Sequence, residues 1–272
     1  MEAVRAQGAE VPKIGFGTWQ LSGRECAEAV RDALELGYRH IDTAAVYDNE
    51  RDVARAIDES GVDREEVWLT TKVWMDDVTR DRLWASAENS LRDLKTDYVD
   101  LLLIHWPNQS VPISESMAAM TDLRDRGKVR HLGVSNFTPR LLREALEHGP
   151  LFCDQVEYHV LLGQERLREL AEERDLVIGA YAPFAHGEIL DQPVLGEIAE
   201  AHGKSPAQVA LRWLIEQERV VSIPKAASHE NRVANLDLFD FELTDEDRAR
   251  IDELPKDRRR FDTGWAPDWE DD

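Results

Sequence analysis

Asp42 and Tyr47 stand five residues apart in the stretch GYRHIDTAAVYDNE, residues 37–50. Tyr38 to Ile41 alternate in the manner of a half-buried strand, and Asp42 falls where that strand should stop. A carboxylate at a strand end, with a phenol in the loop beyond it, suits proton transfer. Taken alone, the Asp is as well explained as a turn former or a helix cap. Partners brought to the same place by other elements would decide between the two readings.

The chain around this stretch alternates strand and helix patterns almost without interruption. Strands are predicted at 14–18, 38–42, 67–73, 98–105, 129–135, 152–157, 177–181 and 220–223. Apolar residues at three- and four-residue spacing predict helices at 24–36, 50–60, 80–94, 114–126, 139–147, 165–174, 205–216 and 229–235. Thr138-Pro139 and Ser205-Pro206 mark helix starts, and Gly127 marks a helix end. Eight β–α units argue for an α/β chain folded as a closed parallel (β/α)8 TIM barrel, because the eighth strand can then pair with the first. A short N-terminal segment precedes the barrel. Residues 191–202 and 244–254 add one helix each, the second behind a Thr-x-x-Glu-type start. The tail 255–272 carries Phe261, Trp265 and Trp269 among charges and prolines, which predicts an ordered loop, as a lid or simply docked on the barrel. With no repeat and no low-complexity linker, residues 1–272 read as a single domain.

In such a barrel the active site lies at the C-terminal ends of the strands. Those ends deliver Trp19, Asp42 with Tyr47, Lys72 with Trp74, His105 with Trp106, Ser135 with Asn136, Gln155, Tyr181 and Lys225. Four of them make a proton-donating device. A free phenol has a pKa of about 10, so Tyr47 needs help to exchange a proton at neutral pH. An ammonium at Lys72 would lower that value, Asp42 would hold Lys72 charged, and His105 would orient a carbonyl oxygen or relay the proton. Trp19, Trp74 and Trp106 are expected to line the substrate pocket, where aromatic walls suit a small carbonyl compound, with packing of the barrel rim as the alternative reading. The histidines lack the spacing of a metal site, and no GxSxG marks a hydrolase elbow. A barrel hydrolase or isomerase using Asp42 and His105 as acid and base is the reading that competes.

Charge narrows the partners. Lys plus Arg number 33 and Asp plus Glu 55, a net of −22, so nucleic acid and anionic membranes are poor partners. The acids are spread through the helices, apart from Asp268 to Asp272, and only seven of the bases are Lys. An acidic, lysine-poor surface suggests a halophilic protein of a high-salt cytoplasm, against the alternative of a merely acidic mesophile protein. No apolar run approaches a membrane span, and the opening MEAVRAQGAEVP lacks the apolar centre of a secretory signal. Two isolated cysteines, Cys26 and Cys153, argue against a disulfide framework and for a reducing cytoplasm.

The motifs GFGTWQL, GYRHIDTAAVYDNE, LTTKVW, DLLLIHWP, GVSNF, DQVEYH and IPK, in this order from about Ile14 to Leu243, resemble the aldo-keto reductase family. The resemblance implies a (β/α)8 barrel that binds NAD(P)H at the strand ends, with Tyr47 as general acid supported by Asp42, Lys72 and His105. Among its members the chain looks most like bacterial enzymes that reduce keto-sugar acids such as 2,5-diketogluconate and aldehydes such as methylglyoxal. It further implies that Ser135, Asn136 and Gln155 bind the carboxamide, Tyr181 stacks on the nicotinamide, Lys225 meets the 2′-phosphate and Asn235 the adenine. The chain departs from the family at Ala226 and Asn231, where a Ser and an Arg are common, and Arg232 stands one place along. These departures remove or move two phosphate ligands, and Glu230 close by could bind the free ribose hydroxyls of NADH, the alternative cofactor. NADPH stays the expected one because Lys225 is kept and Arg232 could still reach the phosphate, and a monomer is the expected state. A cofactor-bound regulatory subunit with little turnover is the other reading of the same fold.

Overall fold

The structure, a computed structural model, describes residues 2–270, so the last two acids of the tail lie outside it. Two short strands, β1 (Ala3–Ala6) and β2 (Ala9–Pro12), open the chain. The barrel strands follow as β3 (Phe16–Gly17), β4 (His40–Asp42), β5 (Trp68–Val73), β6 (Val99–Ile104), β7 (Val129–Ser135), β8 (Cys153–Glu157), β9 (Val177–Tyr181) and β10 (Val220–Ile223). They form one parallel sheet in sequence order. The barrel closes where Gly15 N–H donates to Ser222 O at 2.8 Å and Ser222 N–H donates to Lys13 O at 2.8 Å. Only Phe16–Gly17 of the predicted first strand has continuous ladder geometry, because its flanks pair with β10 through an isolated bridge.

Strand residues alternate in direction, so each strand offers one row to the barrel interior and one to the helices. Leu101, Leu103, Cys153, Val177 and Val221 fill the lower interior, together with Val4, Ala6 and Val11 of the hairpin. The hairpin thus plugs the N-terminal end of the barrel. Its turn is made by Gln7 and Gly8, both at positive φ (48° and 78°), as a two-residue hairpin requires. The expectation of a mere N-terminal segment missed this element, since AVRA and AEVP are too short and polar to stand out. The next inward positions up each strand are Lys72, His105, Gln155 and Glu157, which is why chemistry collects above a packed floor.

The helices are α1 (Gly23–Leu36), α2 (Glu50–Ser60), α3 (Arg80–Asp93), α4 (Ile113–Asp125), α5 (Pro139–Leu146), α6 (Glu165–Arg174), α7 (Pro193–His202), α8 (Pro206–Glu216), α9 (His229–Leu236) and α10 (Asp245–Asp252). None is long and apolar enough to cross a membrane. Thr138 and Ser205 accept the N–H groups of Leu141 and Gln208 as N-caps. Thr244 closes a capping box with Asp247, so the third residue of that start is an Asp where a Glu type was expected. Beyond α10 the chain is irregular and returns over the C-terminal rim.

Candidate active site

A cavity of about 820 Å³ opens at the C-terminal rim. Eleven of the fourteen residues named from the sequence line it; Lys72, Arg232 and Asn235 do not. Lys72 lies beneath its floor, 1% exposed, with Nζ donating to Asp42 Oδ1 at 2.5 Å and to Thr43 O at 2.9 Å. The other carboxylate oxygen, Asp42 Oδ2, accepts from Gln155 Nε2 at 2.7 Å. Gly179 makes room for this reach, since a Cβ there would come within 3.0 Å of Gln155 Cγ.

Burial works against the Lys72 charge, but Asp42 and Tyr47 together outweigh it and the ammonium is stabilised. Tyr47 behaves differently from the sequence expectation. Burial pushes the phenol up, Lys72 pulls it down, Asp42 pushes it up again, and the sum is a rise. Lys72 therefore moderates a phenol that burial keeps protonated, which suits a donor. His105 is held well below the usual imidazole range by burial and by the nearby Lys72 charge, so it is neutral. Its ring meets Tyr47 edge-on at 5.7 Å and Trp74 at 5.3 Å, and its Nδ1 is buried without a partner.

The Tyr47 loop is fixed by a buried amide two residues beyond the phenol. Asn49, wholly buried, accepts from Thr43 Oγ1 at 2.6 Å and donates through Nδ2 to the carbonyls of Thr18 and Leu21, both at 2.9 Å. It ties the phenol-bearing turn to the loop that carries Trp19. Glu50, the first residue of α2, is buried, accepts from Thr71 Oγ1 at 2.6 Å, and is pushed up by burial.

On the far wall, Asn136 takes φ 62°, a conformation Asn tolerates better than most residues. Its Nδ2 donates to His105 O at 3.0 Å and to Ser135 Oγ at 3.1 Å, while its Oδ1 accepts from the Tyr181 hydroxyl at 2.7 Å. The loop after β9 holds Ala182, Ala185 and His186 at positive φ and adds Phe184, His186 and Leu190 to the lining. Lys225 is exposed at the end of β10. Arg232 faces inward: its Nε donates to Asp32 Oδ2 at 2.6 Å, and its Nη1 donates to Ala226 O at 3.0 Å and Ala227 O at 2.8 Å. The guanidinium holds the turn that follows Lys225. Asn235 is buried on the same helix.

The C-terminal loop covers the aromatic rim. Phe261 meets Tyr181 edge-on at 5.2 Å and Trp19 at 5.6 Å, Trp265 packs on Trp74 at 6.0 Å, and Trp269 on Trp106 at 6.1 Å. Trp265 lines the cavity, whereas Trp269 docks behind Trp106. Phe261 and Thr263 were missed as lining residues because an irregular tail has no periodicity from which to infer direction.

A parallel barrel that gathers a half-buried phenol with a buried ammonium, carboxylate and neutral imidazole at its C-terminal rim has the groups needed to move a proton at a polar substrate atom. The chain belongs to the aldo/keto reductase family, whose sequence profile matches residues 13–256. It is 45% identical to a 9,11-endoperoxide prostaglandin H2 reductase of Trypanosoma cruzi (strain CL Brener), over 92% of this chain and 89% of that one. It is 43% identical to a glyoxal reductase of Bacillus subtilis (strain 168), over 93% and 92% of the two chains. The crystal structure of MGS-M4, an aldo-keto reductase enzyme from a Medee basin deep-sea metagenome library, superposes with a TM-score of 0.93 at 37% identity, covering 97% of this chain and 99% of that one. The protein is thus an oxidoreductase enzyme of carbonyl compounds on a (β/α)8 barrel.

Proposed function

We propose that the protein reduces small aldehydes and ketones, α-dicarbonyls of the glyoxal and methylglyoxal type before keto-sugars, with NADPH as donor and NADH as the alternative. The observation that carries this reading is the Lys72–Asp42 pair set beneath a protonated Tyr47 in a cavity with aromatic walls. The likeness to a glyoxal reductase supports the aldehyde class.

The cavity suits a nicotinamide cofactor. It runs from Lys225 at the end of β10 to Trp74, and it carries the polar side chains of Ser135, Asn136 and Gln155 with the Tyr181 ring. Those four would hold the nicotinamide, and Lys225 a 2′-phosphate, with Arg232 fixing the turn behind it. When bound, the cofactor supplies a hydride to the carbonyl carbon. Tyr47 gives its hydroxyl proton to the carbonyl oxygen, and the phenolate left behind faces the Lys72 ammonium. Asp42 keeps that ammonium charged and in place. His105, being neutral, directs the oxygen without competing for the proton.

We further place the protein in a high-salt cytoplasm as a monomer, on the net charge of −22. Oxidation of NADPH and NADH against aldehydes, α-ketoaldehydes and keto-sugars, with and without molar KCl, tests both readings. No turnover with any carbonyl would overturn the first, and full activity without salt would overturn the halophilic one.

A further inference from the structure

Glu157 is wholly buried at the last position of β8, two residues beyond Gln155 and paired in register with Tyr181. No step of the proposed chemistry uses it. Its carboxylate faces the returning tail instead. Oε1 accepts from Arg260 N–H at 2.8 Å, and Oε2 accepts from Phe261 N–H at 2.9 Å and from Arg260 N–H at 3.0 Å. The fourth contact is His159 Nε2, 3.0 Å from Oε1. His159 is also wholly buried, and its Nδ1 accepts from Leu161 N–H at 3.3 Å, so Nε2 carries the hydrogen and donates. A buried carboxylate that accepts three N–H groups binds the loop that supplies two of them through charge-assisted bonds, about twice as strong as neutral ones.

What those two amides anchor is the outer wall of the pocket. Phe261 follows directly, with its ring against Tyr181, Trp19 and His186 at 5.2–5.6 Å. Thr263 and Trp265 come next, and both line the cavity. Arg260 adds an ion pair to Glu188 of the loop after β9. Residues 258–270 have no helix or strand of their own, so the loop depends on these backbone bonds and on the packing of its aromatic rings.

We propose that Glu157, oriented by His159, is the positioning residue that seats the C-terminal loop over the pocket and so determines which carbonyl substrates bind. The proposal deepens the reading of the protein as an aldehyde reductase and rests on it for the substrate arm of the test. Large aromatic aldehydes use the wall formed by Phe261 and Trp265, whereas glyoxal is small enough to be held by the floor alone.

Glu157→Ala and Glu157→Gln test this by two independent readouts. Amide hydrogen exchange over residues 258–270 is expected to speed up at least about tenfold in Glu157→Ala, with the barrel strands unchanged. In the same variant KM for a naphthaldehyde is expected to rise about tenfold, a loss of one well-packed aromatic contact, while KM and kcat for glyoxal and the affinity for NADPH stay within about twofold. Glu157→Gln, which keeps the side chain's shape but loses its charge, should shift loop exchange and naphthaldehyde KM in the same direction by a smaller factor, which keeps the test open if Glu157→Ala does not fold. Phe261→Ala should reproduce the naphthaldehyde loss with the carboxylate intact. Unchanged exchange in the loop, or an equal loss for naphthaldehyde and glyoxal, would overturn the proposal. If the wild-type protein turned over no aldehyde, the reductase reading would fail while the exchange arm still judged the clamp.

Discussion

Gln155 on β8 reaches across the barrel and donates from Nε2 to Oδ2 of Asp42 on β4, at 2.7 Å. The two strands stand four places apart in an eight-stranded ring, so the bond spans the interior. With Lys72 on Oδ1, both oxygens of Asp42 are held. The residue proposed to bind the nicotinamide carboxamide therefore also holds Asp42 of the proposed proton-donating set. Replacing Gln155 with Glu puts a second carboxylate where the donor was, and two carboxylates at that distance do not both ionise. The expected outcome is a fall in reduction rate of about 10- to 100-fold, the usual cost of losing an outer support, with a shifted pH profile. A residue that only bound cofactor would raise KM for NADPH and leave the profile in place.

Lys72 and Asp42 form a buried pair, 1% and 5% exposed at their side chains. Breaking such a pair from one side costs about 3–5 kcal/mol, because the remaining charge is buried alone. Lys72→Met should lower thermal stability accordingly. The double variant Lys72→Met with Asp42→Asn should regain much of that stability and none of the reductase activity. Melting curves and rates on the same samples separate the structural part of the pair from its catalytic part.

Two cations differ at the proposed adenosine end. Lys225 is exposed at the cavity, whereas Arg232 is buried against Asp32 and the carbonyls of Ala226 and Ala227. Lys225→Ala should weaken NADPH binding by about tenfold, the value of one charge-assisted contact, and leave NADH binding unchanged. Arg232→Ala should weaken both cofactors, by loosening the turn, and lower the melting temperature. Quenching of tryptophan fluorescence by each dinucleotide reads all four affinities.

Asp154 lies one residue from Gln155 and therefore faces the helix layer, buried, with no side-chain partner and the Phe137 backbone N–H as its polar neighbour. Burial pushes its carboxyl well above the usual range. A raised folded-state value gives stability that is present below the unfolded pKa of about 3.8–3.9 and lost as pH rises through the folded value. Asp154→Asn removes that loss. The variant should melt above the wild type at neutral pH, by a margin that shrinks toward pH 4; a constant margin across that range would contradict the assignment.

The order and placement of the barrel were legible in the chain because each β–α unit carries its own period and its own caps. Asp42, Lys72, His105 and Gln155 could be placed at one rim from strand ends alone. Three things resisted. The Gln155–Asp42 bond crosses the barrel between residues 113 apart, and no local pattern encodes it. The inward turn of Arg232 depends on Asp32 in α1, two hundred residues away. The direction of the Tyr47 shift is a balance between burial and the Lys72 charge, and burial is a property of the packed rim rather than of the motif.

The central claim is that Tyr47 donates the proton while the rest of the site binds and orients. Tyr47→Phe removes one oxygen and leaves the ring in place against His105. Measured in single-turnover reduction of glyoxal by NADPH, the variant should lose at least about 10²- to 10⁴-fold in rate, the scale of a general acid, with NADPH affinity unchanged. A variant that reduces glyoxal at the wild-type rate would contradict the account.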